Sequence, residues 1–391
     1  MGVIVEIRNP EEDLEDKIKA YKWRQRRKAI LVVATLIAAV VSTYLLVEMQ
    51  TYTKMRVLES VDNQGTDNSS YLEFANGVLR YSRDGIAYLD KKGVEQWNQA
   101  YQIKNPFVNI SKKAVAVADR GGNDVYVLDE KGLKGEIHTN YPIEKIAVAE
   151  NGIVSALLKN GSTPQVVCYD ATGNVLAEHR ASLTGTGYPI GMALSPTGTK
   201  LQITYLCVED GVQATRVICF DFGQSEDEDK EYETVEEVYK NTVIPVLFFV
   251  NDKTSVLAGD QGFIIYKESN RQMKAVRTIE LDKEVKGVFY DDEYLGFILK
   301  NEGEACELRL YDMEGKQKLS RTFTGEYANV KMSQGNVLMY DGKKCRIYSE
   351  LGVEKFEGEV DKDIMEIRPL AGINKYLLMS ADGMEEVRLV K

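Results

Sequence analysis

The chain has 391 residues, and its 60 acidic and 49 basic side chains give a net charge of −11. A phosphate backbone repels an acidic chain, so the charge argues against nucleic acid as a partner. Hydrophobic residues make up 44% of the chain and charged residues 28%, a composition that excludes a wholly disordered protein. The only histidines are His138 and His179, which excludes a multi-histidine metal centre.

The N-terminal segment predicts a membrane anchor. Residues 29–47 carry no charge over 19 positions, and as a helix they would extend about 28 Å, enough for the hydrocarbon core. The preceding residues from Lys17 to Lys28 include seven basic and no acidic side chains, which places that end in the cytoplasm by the positive-inside rule. The residues that would flank the membrane are Trp23, Arg24, Arg26, Arg27 and Lys28.

A cleaved signal peptide is a weaker interpretation of this segment. A leader of 28 residues is long for a signal peptide, and no small-residue cleavage site follows Val47. We therefore expect an uncleaved signal anchor in the cell membrane, with the lipid bilayer as a partner and the rest of the chain outside the cytoplasm. The basic tail before it either rests a short helix on lipid headgroups or docks a cytoplasmic partner.

From residue 71 onward, short apolar runs alternate with Gly, Asn and Asp clusters, a pattern that predicts antiparallel strands. One strand type recurs: it ends in Asp, and Gly follows within a few residues. The clear copies are Asp90 with Gly93, Asp129 with Gly132, Asp170 with Gly173, Asp221 with Gly223, and Asp312 with Gly315. Weaker copies end at Lys267, Ser349 and Lys391. The copies lie 37 to 51 residues apart, with a mean of 43, which is typical of a β-propeller.

Eight copies indicate eight blades, or seven if one weak copy is not a blade. Two strands precede each marked strand and one follows it, but the last copy ends at Lys391 with no fourth strand. Residues 55–61 could supply that strand and close the ring. The expected fold is an all-β propeller after a single transmembrane helix. Its domains are a cytoplasmic tail (1–28), an anchor (29–48), a linker with the ring-closing strand (49–70) and an extracytoplasmic propeller (71–391).

Residues 87–97, AYLDKKGVEQW, resemble the tryptophan-docking repeat of quinoprotein-type propellers, the pyrroloquinoline-quinone-like family. In that family an Asp–Gly turn precedes a Trp that packs between blades, so the resemblance implies a structural role for Trp97. Residues 168–176 follow the same pattern without the Trp. The arrangement of tail, anchor and propeller also resembles a family of membrane-anchored propeller proteins of clostridial bacteria for which no activity is established.

The catalytic quinoproteins hold their cofactor with a stacked Trp and a vicinal cysteine pair. Here no two cysteines are adjacent, and Trp97 is the only Trp after the N-terminal segment. The resemblance is therefore to the non-catalytic branch, whose members serve as scaffolds in envelope complexes. It implies neither a cofactor nor a metal.

The remaining reactive residue types favour structural roles. The repeated Asp residues stand where a tight turn needs a side chain that bonds its own backbone. His138 and His179 have no partner spacing typical of a catalytic triad. Five cysteines lie in or beside predicted strands without metal-ligand spacing, so we expect buried small side chains, with at most one disulfide. They are Cys168, Cys207, Cys219, Cys306 and Cys345.

An acidic insertion at residues 224–237 holds eight carboxylates and one lysine. It is typical of a solvated loop between blades, and a weak calcium site or a docking patch for a basic partner is the alternative. It lacks the residue order of a calcium-binding loop.

Together these features predict a non-catalytic protein-interaction scaffold that binds another protein of the cell envelope. Two alternatives stay open. One is a ligand sensor that signals through the tail. The other is an extracellular hydrolase with two carboxylates on the axis of the ring.

Overall fold

The computed structural model describes residues 10–62, 69–161, 163–182, 185–222 and 233–391. The chain divides into an N-terminal unit that ends at Thr51 and a second unit from Tyr52 to Lys391. The first unit contains one helix, α1 (Pro10–Glu48). Proline suits the first helical position because its fixed φ is helical and its missing N–H would be unpaired there. Within α1, the Arg27 guanidinium lies 3.8 Å from the ring centroid of Trp23.

The predicted transmembrane anchor is wrong. In the described part of the chain, no helix combines the length and the apolar character that a membrane span requires. The apolar run of residues 29–47 belongs to the second half of α1. The predicted location, with a cytoplasmic N-terminus and an extracytoplasmic propeller, was inferred from that span and is therefore not supported either.

The second unit is an eight-bladed β-propeller, and the predicted fold class is confirmed in that respect. Its described strands form eight antiparallel sheets of four strands each. The first strand in the chain, β1 (Lys54–Asp62), belongs to the last blade. Blade 1 contains β2 (Ser70–Phe74), β3 (Gly77–Tyr81), β4 (Gly85–Leu89) and β5 (Glu95–Ala100). Blade 2 contains β6 (Pro106–Ile110), β7 (Ala114–Asp119), β8 (Asp124–Asp129) and β9 (Gly132–His138).

The following blades repeat this order. Blade 3 contains β10 (Ile143–Val148), β11 (Val154–Leu158), β12 (Gln165–Tyr169) and β13 (Val175–Arg180). Blade 4 contains β14 (Tyr188–Leu194), β15 (Lys200–Glu209), β16 (Val212–Asp221) and β17 (Glu233–Lys240). Blade 5 contains β18 (Val246–Asn251), β19 (Thr254–Ala258), β20 (Gly262–Ser269) and β21 (Gln272–Glu280).

The last three blades complete the ring. Blade 6 contains β22 (Val285–Tyr290), β23 (Tyr294–Lys300), β24 (Ala305–Asp312) and β25 (Gln317–Thr324). Blade 7 contains β26 (Asn329–Ser333), β27 (Asn336–Asp341), β28 (Lys344–Ser349) and β29 (Glu354–Glu359). Blade 8 contains β30 (Glu366–Pro369), β31 (Lys375–Ser380) and β32 (Gly383–Val390), with β1 as its outer strand.

Each marked repeat in the sequence is the third strand of a blade. The weak copies that end at Lys267, Ser349 and Lys391 correspond to β20, β28 and β32, so eight blades are present and not seven. In several neighbouring blades the first strands contact one another, as β10 does with β6 and with β14, so the first strands line the axis of the ring. In the described residues, eight clusters of buried apolar side chains fill the eight interfaces between neighbouring blades.

The ring is closed by pairing the start of the propeller with its end. β1 runs antiparallel to β32, from Lys54 opposite Val390 to Asp62 opposite Gly383, with one irregularity after Val57. Without β1, β32 would present a row of unpaired N–H and C=O groups as a sheet edge. The closure is therefore made by backbone hydrogen bonds between residues more than 300 positions apart in the chain.

The recurring Asp–Gly pairs form the turns from third to fourth strands. The Asp90 carboxylate accepts the N–H groups of Lys92 and Val94 at 2.8 and 3.0 Å, and Gly93 N–H donates to Asp90 O. Gly93 has φ +78°, a conformation that favours glycine. Asp129, Asp170 and Asp312 accept backbone N–H groups in the same way, in turns that contain Gly132, Gly173 and Gly315.

Two predicted features of blade 4 differ from this pattern. Asp221 lies 3.6 Å from Lys200 Nζ, and its partner Gly223 lies outside the described residues. Most of the acidic insertion, residues 224–232, also lies outside them, and its last five residues, 233–237, begin β17.

Trp97 lies between the first two blades. Its ring stacks on Tyr88 with ring centroids 5.9 Å apart, and its Nε1–H donates to Glu130 O in the turn of blade 2 at 3.0 Å. A side-chain carbon at Gly132 would lie 3.9 Å from Trp97 Cγ, so the turn passes directly over the indole. The indole thus combines apolar contact with one hydrogen bond between blades.

We expect Trp97→Ala to lower the free energy of unfolding by about 2–3 kcal/mol, because it removes a partly buried aromatic side chain at a blade interface. Urea titration monitored by circular dichroism measures the change. Trp97→Phe should keep much of the packing and lose less. Trp23→Ala, in α1, is the control and should leave unfolding of the propeller unchanged. Equal stability of Trp97→Ala and the unaltered protein would contradict the docking role.

Ring closure makes a second prediction, on truncation. Removal of residues 1–51 should leave a folded ring, whereas removal of residues 1–62 should lower the melting temperature and cause concentration-dependent association through the open edge of β32. Differential scanning calorimetry and light scattering measure the two effects. A monomeric and equally stable product of the longer deletion would show that β1 is dispensable.

Candidate functional site

The two ends of the ring differ in the turns that they carry. Because the strands of each blade are antiparallel and in order, turns from first to second strand and from third to fourth strand lie at the same end. We call this the AB end. Around the axis of the ring, this end holds a cavity of about 560 Å³, which we call the channel mouth. All eight blades line it, with Leu72, Asn109, Val148, Met192, Phe248, Tyr290, Lys331 and Glu366 among the contributors.

One side of this channel mouth is aromatic. The rings of Phe248 in β18 and Tyr290 in β22 stack with centroids 3.8 Å apart and an angle of 2° between their planes. Phe248 is buried and Tyr290 is 45% exposed, so the pair presents one open tyrosine to the mouth. Asp291 follows directly and accepts the N–H groups of Glu293 and Tyr294, each at 2.8 Å. Burial raises the pKa of Asp291, although these two hydrogen bonds act to lower it.

Charged residues also face each other across the mouth. Lys112, in the turn after β6, lies with its Nζ 3.1 Å from Asp292 Oδ2, in the turn after β22. These turns belong to blades 2 and 6, which are opposite each other in a ring of eight. The neighbouring Lys113 pairs with Glu150 of blade 3 at 2.8 Å.

A second group of charges joins blades 7, 8 and 1, and we call it the seam cluster: Glu73, Lys331, Ser333, Glu366 and Arg368. Lys331 Nζ lies 3.3 Å from Glu73 Oε2 and 2.5 Å from Glu366 Oε1. Ser333 Oγ donates to Glu73 at 2.8 Å, and Arg368 Nε lies 3.5 Å from Glu73 Oε1. The cluster therefore connects the first and last blades through side chains, next to the closure made by β1.

The two carboxylates of the seam cluster differ in their electrostatic surroundings. Burial alone would raise the pKa of Glu73, but Lys331, Arg368 and Ser333 together hold it below its usual value. Burial raises the pKa of Glu366, and Lys331 and the Ile367 N–H only partly oppose it. Both carboxylates share one ammonium group, so they neutralise Lys331 and fix its position.

Both carboxylates of the seam cluster are engaged with Lys331. A hydrolytic carboxylate pair needs one group to donate a proton and the other to attack or activate water. Glu73 and Glu366 instead hold Lys331 between them. In the described ranges, no three His, Cys, Asp or Glu residues are grouped so that they could hold a metal ion.

The cysteines and histidines lie away from the channel mouth. All five cysteines are free thiols, and burial raises the pKa of Cys168 to about 11 and of Cys219 and Cys345 to about 12. His138 and His179 occupy outer strands of successive blades. His138 Nδ1 lies 2.8 Å from Asp124 Oδ1, and burial lowers the pKa of His179, which packs against Phe220.

Sequence analysis did not identify the residues of the channel mouth. The predicted repeat residues, from Asp90 to Gly315, form turns on the outer part of the blades. Lys112, Asp291 and Asp292 lie in turns that follow the first strand of their blades. Their position in the sequence could have identified them. In a propeller, charged residues directly after the first strand of each blade lie at the same end of the ring.

Comparisons with known proteins agree with the fold. Sqt1 from Saccharomyces cerevisiae matches with a TM-score of 0.55 and 10% sequence identity, over 87% of this chain and 100% of that chain. BamB from Moraxella catarrhalis matches with a TM-score of 0.49 and 12% identity, over 85% of this chain and 99% of that chain. At these identities the likeness shows the fold alone. No curated protein matches the sequence.

A family model described as a family of unknown function, DUF5711, matches residues 48–389, which include all of the propeller except its last two residues. The chain belongs to DUF5711.

Proposed function

We propose that this propeller is a non-catalytic scaffold that binds a protein partner at the AB end. The observation that carries the proposal is the channel mouth, where side chains from all eight blades converge on one cavity of about 560 Å³. A ring of packed sheets holds these side chains in fixed positions, so little conformational freedom is lost on binding. The Asp–Gly turns with Trp97 support kinship with the non-catalytic quinoprotein-type propellers.

The composition of the AB end supports a protein partner. Interfaces between proteins are rich in aromatic anchors with a polar rim. Here Tyr290 is the open aromatic, and charged pairs such as Lys113 with Glu150 lie in turns at the same end of the ring. Exposed aliphatic side chains in turns at the same end, Leu351 and Ile373, add apolar surface.

The seam cluster favours a scaffold over a hydrolase. If its carboxylates serve to hold blades together, Lys331→Met removes the ammonium partner of Glu366, which is almost fully buried, and leaves Glu73 with Arg368 as its cationic partner. We expect the variant to lose about 3 kcal/mol of unfolding free energy, as when one partner of a buried pair is removed. Lys113→Met, which removes a lysine whose side chain is 74% exposed, is the control and should lose little. Unchanged stability of Lys331→Met would remove this support.

The proposal is tested by comparing two tyrosines at opposite ends of the ring. Tyr290, the last residue of β22, is 45% exposed at the AB end, and Tyr188, the first residue of β14, is 40% exposed at the other end. We expect Tyr290→Ala to weaken partner binding about 30-fold, the loss of an anchor worth about 2 kcal/mol. Tyr188→Ala should bind as the unaltered protein does.

Crosslinking purification of the full chain and both variants, quantified by mass spectrometry, measures the difference. Thermal melts establish that both variants are folded. Partners that are retained by Tyr290→Ala, or lost equally from both variants, would contradict binding at the AB end.

A further inference from the structure

The ion pair between Lys112 and Asp292 crosses the axis of the ring. It joins opposite blades at the AB end, and both residues line the mouth cavity. The chain's own ammonium group thus lies over the opening that a partner would enter. No other described lysine or arginine pairs with Asp292.

The ion pair between Lys112 and Asp292 is exposed to solvent, so another cation can replace Lys112. The side chain of Lys112 is 54% exposed and that of Asp292 is 67% exposed, and ion pairs in such surroundings contribute little to stability because water and salt screen them. The buried pairs of Lys331 deeper in the channel contrast with it, since Glu366 there is only 6% exposed. A competing cation can therefore displace Lys112 without disturbing the ring.

The mouth also carries an excess of negative charge. Five carboxylates line the cavity, against the two ammonium groups of Lys112 and Lys331 in the lining and the adjacent Lys113 and Arg368, which pair with Glu150 and Glu73. A concave surface lined mainly by one charge concentrates ligands of the opposite sign. The carboxylates are Glu73, Glu150, Asp291, Asp292 and Glu366.

Next to the acids, Tyr290 offers a ring to a cation. Its position against Phe248 leaves one face for a neighbour, and the negative face of an aromatic ring attracts an ammonium or guanidinium group. The cavity of about 560 Å³ lies within the size range of sites that enclose a small ligand group, so a long side chain fits.

We propose that the mouth of the channel binds a lysine or arginine side chain on a loop of the partner protein, and that this side chain replaces Lys112 on Asp292. The proposal rests on the proposed function and names the chemistry of the partner. Lys112 holds the site closed until a cation with additional contacts at the AB end displaces it.

Two variants test the exchange in opposite directions. Lys112→Met removes the internal competitor, and we expect two- to fivefold tighter binding, about the range of an exposed ion pair. Asp292→Asn removes the acceptor, and we expect about fivefold weaker binding by the same reasoning. With both substitutions, the gain from Lys112→Met should disappear, because the exchange needs Asp292.

The chain offers a closely matched control. Lys300 pairs with Glu284 at 3.2 Å, with side chains 55% and 65% exposed, almost the same as for Lys112 and Asp292, but at the other end of the ring. Lys300→Met changes the net charge equally, so it should leave binding unchanged.

The measurement is fluorescence anisotropy of the full-length protein with a labelled tri-lysine peptide and a labelled tri-arginine peptide, beside a tri-glutamate peptide and free spermidine as competitor. Opposite effects of Lys112→Met and Asp292→Asn, with Lys300→Met unchanged, are the expected result. Equal gains from the two lysine variants would show general attraction to an acidic protein and overturn the proposal. Spermidine binding as tight as the peptides would overturn a protein side chain as the source of the cation.

The two experiments distinguish failure of the cation-binding proposal from failure of the proposed scaffold function. If basic peptides fail to bind while Tyr290→Ala still releases crosslinked partners, the AB end is the interface and the cationic anchor is wrong. If Tyr290→Ala releases nothing and the peptides bind with the expected variant pattern, the mouth is a cation site and the scaffold proposal is wrong.

Discussion

The pairing of β1 with β32 is the contact on which the whole ring depends. In a propeller of eight blades, the last blade and the first are neighbours in the ring although they are not consecutive in the chain. Here the chain passes through the outer edge of blade 8 before it builds blade 1, so the backbone itself spans that position. The seam cluster adds side-chain contacts at the same place, and Arg368 also donates to Gly77 O at 2.6 Å.

A closed ring determines what the channel mouth can do. Every blade is held between two neighbours by a buried apolar cluster, so the turns at the AB end keep fixed distances from one another. Side chains from opposite blades can then meet at hydrogen-bonding distance, as Lys112 and Asp292 do. Binding at such a surface uses charges and one exposed aromatic ring that are already in position, and it requires no rearrangement of a loop.

The sequence predicted the architecture well because a propeller is built from local repeats. Each Asp–Gly turn is encoded within five residues. The spacing between repeats gives the number of blades, and it also identified the weak copies that end at Lys267 and Ser349. The channel mouth could not be predicted, because Lys112 and Asp292 are 180 positions apart and meet only when the ring closes. The anchor was predicted from a local apolar run, and no helix in the part of the chain that the structure describes is long and apolar enough for a span.

The free thiols have a consequence for where such a ring can form. Four of the five cysteines are buried in strands, and a raised pKa keeps the thiols of Cys168, Cys219 and Cys345 protonated near neutral pH. A protonated thiol reacts slowly in disulfide exchange, since the thiolate is the nucleophile. No cross-link exists among the five to be reduced. No disulfide among these cysteines supports the folded ring, so its stability does not depend on oxidising surroundings.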